Sequence, residues 1–277
     1  MPPFTTLSHI LVAVDDTETS RAAVRQALVL ARAARARGGD TRLTVLTVLP
    51  ELHDTAEAVA RLGQWLAPEL EGAASVSVHL GVAAGVPGIE ICRFAERRGV
   101  DLLVLGRKQR SQMARLLVGD TADAVARRSL VPCLFVPAAA RPVTQVLAAV
   151  DGGERSALVA AGAQAFAAAV GAELSLVSVD AGWPPPDPGL ASMLAAERAE
   201  RVARLVEGID GGVAVAPRIE VRHGETVAQV LAATVASRAD VLAVGYHRGG
   251  PPGVVEGEST ARRLAHVASG MVLTLPL

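Results

Sequence analysis

Three segments of this 277-residue chain recur in the same order at nearly one spacing. Residues 9–15 read HILVAVD and residues 145–151 read QVLAAVD; residues 101–106 read DLLVLG and residues 240–245 read DVLAVG. Gly119-Asp120-Thr121 opens an Ala/Arg-rich stretch that leads to PCLFVP, and Gly257-Glu258-Ser259 opens one that leads to GMVLTLP. The offsets are 136, 139 and 138 residues. Ordered landmarks at one offset mean two copies of one unit, each long enough to bury a core of its own. We expect domains at 1–138 and 144–277, with a linker at 139–143 between Pro137 and Pro142.

Each landmark strand is a short apolar run, the pattern of a parallel strand buried on both faces. Helix-like and strand-like segments alternate between them. The first copy predicts a helix over 21–37 ending at Gly38-Gly39, whose lack of a Cβ suits a C-cap. It then predicts strand 43–49, helix 56–70, strand 76–80 and a helix over 87–98 closed by Gly99. The second copy predicts strand 174–179, helix 190–209, strand 213–221 and helix 226–237, with Pro184-Pro185-Pro186-Asp187-Pro188 as a stiff connector ahead of the first of these helices. Strands alternating with helices require parallel sheets with right-handed crossovers. The expected fold is α/β: two tandem, doubly wound, Rossmann-like five-stranded parallel sheets. Ligands of such sheets sit beyond the carboxyl ends of the strands, which directs attention to Asp15, Asp151 and the loops after Gly106 and Gly245.

Composition excludes several classes. A net charge of −1 supplies no field toward nucleic acid or an anionic membrane, and 3% aromatics leave little for bases to stack on. No bilayer-length apolar run and no signal-peptide pattern stand in the chain, so we expect a cytoplasmic protein with neither nucleic-acid nor membrane partners. Cys92 and Cys133 lack CxxC spacing and fall inside predicted elements, as buried thiols do. The six histidines are scattered without metal-ligand spacing, and G-x4-G-K-[ST], H-E-x-x-H and G-x-S-x-G are all missing. No metal site and no catalytic constellation are expected.

The VAVD strand with DTETS after it, its AAVD–GGERS counterpart, the segment GVPGIEI, and DLLVLG with its loop, helix and strand together resemble the universal stress protein family, over the whole chain and in two copies. The resemblance implies an adenine nucleotide alpha hydrolase-like fold with strand order 3-2-1-4-5 in each copy. It also implies a pairing of the final strands, residues 133–136 and 271–275, that makes the chain an intramolecular pseudo-dimer and leaves room for a homodimer. Nucleotide-binding members carry G-x2-G-x9-G-[ST] after the fourth strand, a loop whose backbone N–H groups, helix start and hydroxyls suit phosphate.

The resemblance carries the candidate nucleotide site onto Asp15 and Asp151 near the nucleoside, Val48 and Val179 near the base, and two loops. The first loop has Gly106, Arg107, Lys108, Gly119, Asp120 and Thr121; the second has Gly245, His247, Arg248, Gly257, Glu258, Ser259 and Thr260. Gln109 and Arg248 replace the middle glycine, while Asp120 and Glu258 replace the hydroxyl. A carboxylate about 4 Å from a phosphate charge opposes it by roughly 4 kcal/mol at an effective dielectric near 20, whereas an acid opening a helix complements the dipole. The expectation is a non-catalytic stress-response protein with both loops degenerate, acting on an unidentified regulatory partner and with no certain cofactor. The alternative is an ATP-binding switch, with Mg²⁺ bridging an acid to phosphate and slow hydrolysis conceivable, that uses the second loop or both.

Overall fold

The computed structural model describes residues 7–71, 73, 75–107, 120–182, 187–207, 217–246 and 260–277. The first half runs β1 (His9–Val14), α1 (Glu18–Arg35), β2 (Arg42–Leu49), α2 (Thr55–Leu70), β3 (Ser77–Ala84), α3 (Pro87–Arg98), β4 (Leu102–Arg107), α4 (Asp120–Arg128) and β5 (Cys133–Pro137). The second repeats it as β6 (Gln145–Val150), α5 (Ser156–Val170), β7 (Glu173–Asp180), α6 (Pro188–Glu207), β8 (Arg218–His223), α7 (Thr226–Ala236), β9 (Val241–Tyr246), α8 (Thr260–Val267) and β10 (Met271–Pro276).

The strands lie in the order β3-β2-β1-β4-β5-β10-β9-β6-β7-β8. Each half is therefore a five-stranded parallel sheet of order 3-2-1-4-5, and β5 and β10 pair antiparallel to join the two sheets along one seam. The apolar runs account for the centre: all six residues of β1 and all five of β5 are buried. At the seam Leu134 stands opposite Leu273, both with no exposed surface, and Thr274 donates to the Cys133 carbonyl at 3.3 Å.

The two sides of the sheet are built differently. On one side a single apolar cluster runs across both halves, from Ile10 and Leu43 through Leu134 and Leu273 to Phe166 and Leu176, under α1 and α5. On the other side α3 and α4 cover a first-half cluster around Leu11, Leu103 and Phe135, while α7 and α8 cover a separate one around Leu147, Leu242 and Val272. Among the described residues no helix is long and apolar enough to cross a membrane. Cys92 and Cys133 are free and buried, and burial pushes their thiols up to about 11 and about 12.

Several element ends differ from expectation. The first helix spans Glu18–Arg35 and is capped by Ala36, because the Gly38 and Gly39 N–H groups turn back to the Arg35 and Ala34 carbonyls and satisfy them earlier. β3 reaches Ala84, since all eight of its residues pair with β2 whether apolar or not. Pro188 opens α6 instead of preceding it: Asp187 accepts from the Leu190 N–H at 2.7 Å, and a first-turn proline gives up no helical bond. The expected strand at 213–221 is described from Arg218, residues 213–216 lying outside the described residues, and it extends to His223. Gly99 closes α3 with φ 59°, as expected.

Candidate functional site

Asp15 and Asp151 follow the central strands β1 and β6 at their carboxyl ends, and both are tied into the turn that starts the next helix. Asp15 Oδ1 accepts from the Thr17 N–H at 3.1 Å, from the Thr17 hydroxyl and from the Ser20 hydroxyl at 2.6 Å; Thr17 in turn caps α1. Asp151 Oδ1 accepts from the Gly153 N–H at 2.8 Å and the Ser156 hydroxyl at 2.6 Å. Ser156 Oγ accepts from the Asp151 and Gly152 N–H groups. The Ser156 hydroxyl, then the Gly153 N–H, holds the Asp151 carboxyl below the usual carboxylate range. Its other oxygen, Oδ2, accepts from no donor among the described residues.

Beside Asp151 lies a cavity of about 680 Å³ at the carboxyl ends of β6, β7 and β9. Val177 and Val179 form an apolar floor, Gly245 is the next-to-last residue of β9, and Thr226 and Thr260 bring hydroxyls from the starts of α7 and α8. Arg155 is the one cation among the described lining residues, against the carboxylates of Asp151 and Glu154. The residues predicted from the second copy thus converge: Asp151, Val179, Gly245 and Thr260 line one space. His247, Arg248, Gly257, Glu258 and Ser259 lie outside the described residues.

Packing constrains the two fourth-strand glycines unequally. A Cβ on Gly106 would stand 2.6 Å from the backbone carbonyl of Thr19, so β4 can approach the start of α1 only without a side chain. A Cβ on Gly245 would meet side-chain tips instead, Leu277 Cδ1 at 2.6 Å and Val159 Cγ2 at 2.7 Å.

Arg107, expected beside an anion in the first loop, points into the seam. Only 6% exposed, it donates from Nη1 to the Ala265 carbonyl at 2.8 Å and from Nη2 to the Ala268 and Gly270 carbonyls at 2.7 and 2.6 Å, all beyond β5 in the other half. Burial lowers its pKa to about 10, which leaves it charged at neutral pH. Its three donated bonds hold backbone, so this placement gives an anion-holding part no support. Val48 is half-buried against the first-half cluster and Thr121 is half-buried on α4. Lys108 and Gly119 lie outside the described residues, as does the side chain of Asp120, at which α4 begins.

The family model for universal stress proteins matches residues 6–137 and again residues 142–276. The chain belongs to the universal stress protein family. A universal stress protein of Methanocaldococcus jannaschii is 36% identical over 61 residues, a match that spans 36% of that protein and 22% of this one. A universal stress protein structure from Archaeoglobus fulgidus superposes with a TM-score of 0.71 at 18% identity, covering 97% of this chain and 98% of that one. A Pseudomonas aeruginosa protein of unknown function gives 0.67 at 21% identity, over 98% and 93%. These likenesses carry the fold.

Within this universal stress protein, sequence reasoning missed Arg198. From α6 it donates to the Ser178 hydroxyl at 2.8 Å, the Val179 carbonyl at 2.9 Å and the Asp151 carbonyl at 3.1 Å, clamping the ends of β6 and β7 behind Asp151. Its only signal was an arginine midway along an amphipathic helix, which reads equally well as solvated surface. Among the described residues no three His, Cys, Asp or Glu side chains gather as a metal site.

Proposed function

We propose that this universal stress protein is a non-catalytic, ligand-responsive regulator, built as an intramolecular pseudo-dimer of domains 1–138 and 144–277, with one working ligand site in its second half. The observation that carries this reading is the cavity of about 680 Å³ beside Asp151, within the ~300–1,000 Å³ range of small-molecule sites. The antiparallel β5–β10 seam supports the pseudo-dimer.

An adenine nucleotide or nucleoside fits the donor set. Val177 and Val179 offer an apolar face to a base, Asp151 Oδ2 offers an acceptor to ribose hydroxyls, and Thr260 with the first N–H groups of α8 faces the phosphate side. With two carboxylates and one cation among the described lining residues, the site favours ligands of low negative charge, so AMP and adenosine rank above ATP. No metal ligand is assigned for Mg²⁺. In the first half, Arg107 is committed to the seam, and that half serves as scaffold. The protein is placed in the cytoplasm, where the occupied and empty forms would present different surfaces to a regulatory partner.

Isothermal titration with adenosine, AMP and ATP, with and without Mg²⁺, tests the reading. The expected result is one site per chain, lost in Asp151→Ala, retained in Asp15→Ala, with no turnover of ATP. Two equivalent sites, or binding indifferent to Asp151→Ala, overturns it.

A further inference from the structure

The helix that walls the second-half cavity is anchored from the first half. α8 has eight residues, and with the first four N–H and last four C=O groups of any helix lacking internal partners, so short a helix holds its place by outside contacts. Its N-terminal end faces the cavity through Thr260, Ala261 and Leu264. Leu264, 2% exposed, seats it on the local core. Two of its polar anchors cross the seam: the Arg107 guanidinium on the Ala265, Ala268 and Gly270 carbonyls, and Asp123 of α4, which pairs with Arg262 at 3.3 Å. A buried cation donating to carbonyls at a helix C-terminus makes strong, directional bonds and complements the dipole.

The reverse grip is not made. Tyr246 occupies in the second half the place of Arg107 in the first, directly after the fourth-strand glycine, and is 5% exposed beside Ala122 and Asp123 of α4. Among the described residues its hydroxyl donates to no α4 carbonyl. The clamp on a carbonyl cluster is therefore made from one side only, by the first half on the second.

We propose that Arg107 is a positioning residue for the second-half ligand site: it sets the place of α8 across the seam, so that the affinity of the cavity and the stability of the first half's β4 end are linked. The inference rests on the cavity being a ligand site. Because linkage is reciprocal, ligand in the second half steadies the β4 end in the first.

The test uses the full chain with AMP as probe, titration calorimetry and hydrogen exchange read by mass spectrometry. Arg107→Met keeps the length and removes the donors; Arg107→Lys keeps a charge without the planar fork. Both are expected to weaken AMP binding at least about tenfold, as loss of charged hydrogen bonds does, and to speed exchange over residues 260–270 while β6 and β7 stay protected. In the wild type, AMP should slow exchange over residues 102–107, an effect absent from Arg107→Met. Asp123→Asn, a milder change, is expected to weaken binding about two- to fivefold, and decides the matter should Arg107→Met not fold.

Wild-type binding with unchanged affinity and exchange in these variants overturns the positioning role alone. Absence of any wild-type binding overturns both it and the cavity reading. Faster α8 exchange in Arg107→Met without AMP slowing the β4 end in the wild type reduces Arg107 to a structural clamp and likewise overturns the proposal.

Discussion

Asp101 and Asp240 perform the same task in the two halves. Each stands just ahead of its fourth strand and accepts from the backbone N–H groups that begin the first strand, Ser8 and His9 in one half, Thr144 and Gln145 in the other. Arg107 and Tyr246, six residues further along, have parted: one grips carbonyls across the seam and the other is packed without doing so. The amino ends of the strands keep duplicated scaffolding, and so do the Asp15–Ser20 and Asp151–Ser156 turns after the first strand of each half, while the ends of the fourth strands have become unlike.

The seam is where this comparison breaks most readily. Leu273→Ala and Leu134→Ala each remove a fully buried side chain at facing positions, and each is expected to cost about 2–5 kcal/mol. In urea the wild type should unfold in one transition because the cluster under α1 and α5 spans both halves. Two separated transitions in the wild type would show that the halves are independent.

The glycines sharpen the contrast next. Gly106→Ala drives a Cβ into α1 backbone and is expected to cost about 1–3 kcal/mol. Gly245→Ala meets only the tips of Leu277 and Val159 and should cost less. Equal losses in thermal denaturation would mean that the two approaches are equally rigid.

A smaller effect separates His9 from its counterpart Gln145. Buried His9 bonds Thr44 Oγ1 at 2.9 Å and the Arg98 carbonyl at 3.2 Å; burial, aided by the charge of Arg42, holds it below its ordinary 6.5. The unfolded chain then binds more protons between that lowered value and 6.5, so stability rises with pH through this window and is lost as pH falls from about 6.5. Gln145, bonded to Glu173, does not titrate. His9→Gln should flatten the fall in Tm, and an undiminished slope would assign it elsewhere. Least of all in stability terms, Cys92 and Cys133 should react with a thiol reagent only as fast as the protein opens, with rates that rise steeply in urea.

The parts of the fold legible in sequence are those fixed by neighbours in the chain. Apolar runs such as HILVAV, the cap at Gly99 and the repeat spacing specify strands, helix ends and the order of elements. Asp151 and Gly245 were legible as strand-end positions of a doubly wound sheet, and Val179 and Thr260 through the family resemblance; the structure brings the four to one cavity. Arg107 was misplaced since its partners lie 158 to 163 residues away, a distance over which local pattern says nothing. Arg198 was missed for a related reason: its bonds to β6 and β7 exist only once α6 has packed. The ends of α1 and β3 were shifted by backbone hydrogen bonds that composition does not encode.

The seam also sets an order of events for the chain as it is made. Cys133 and its partner Thr274 are 141 residues apart, so a ribosome releases all of β5 long before β10 exists to cover it. Throughout that interval the first half carries an open, wholly apolar strand edge, the kind of surface that recruits a second chain. Two nascent copies pairing β5 to β5 would be caught as a swapped species, and the arrival of β10 from the same chain resolves the competition in favour of the β5–β10 seam.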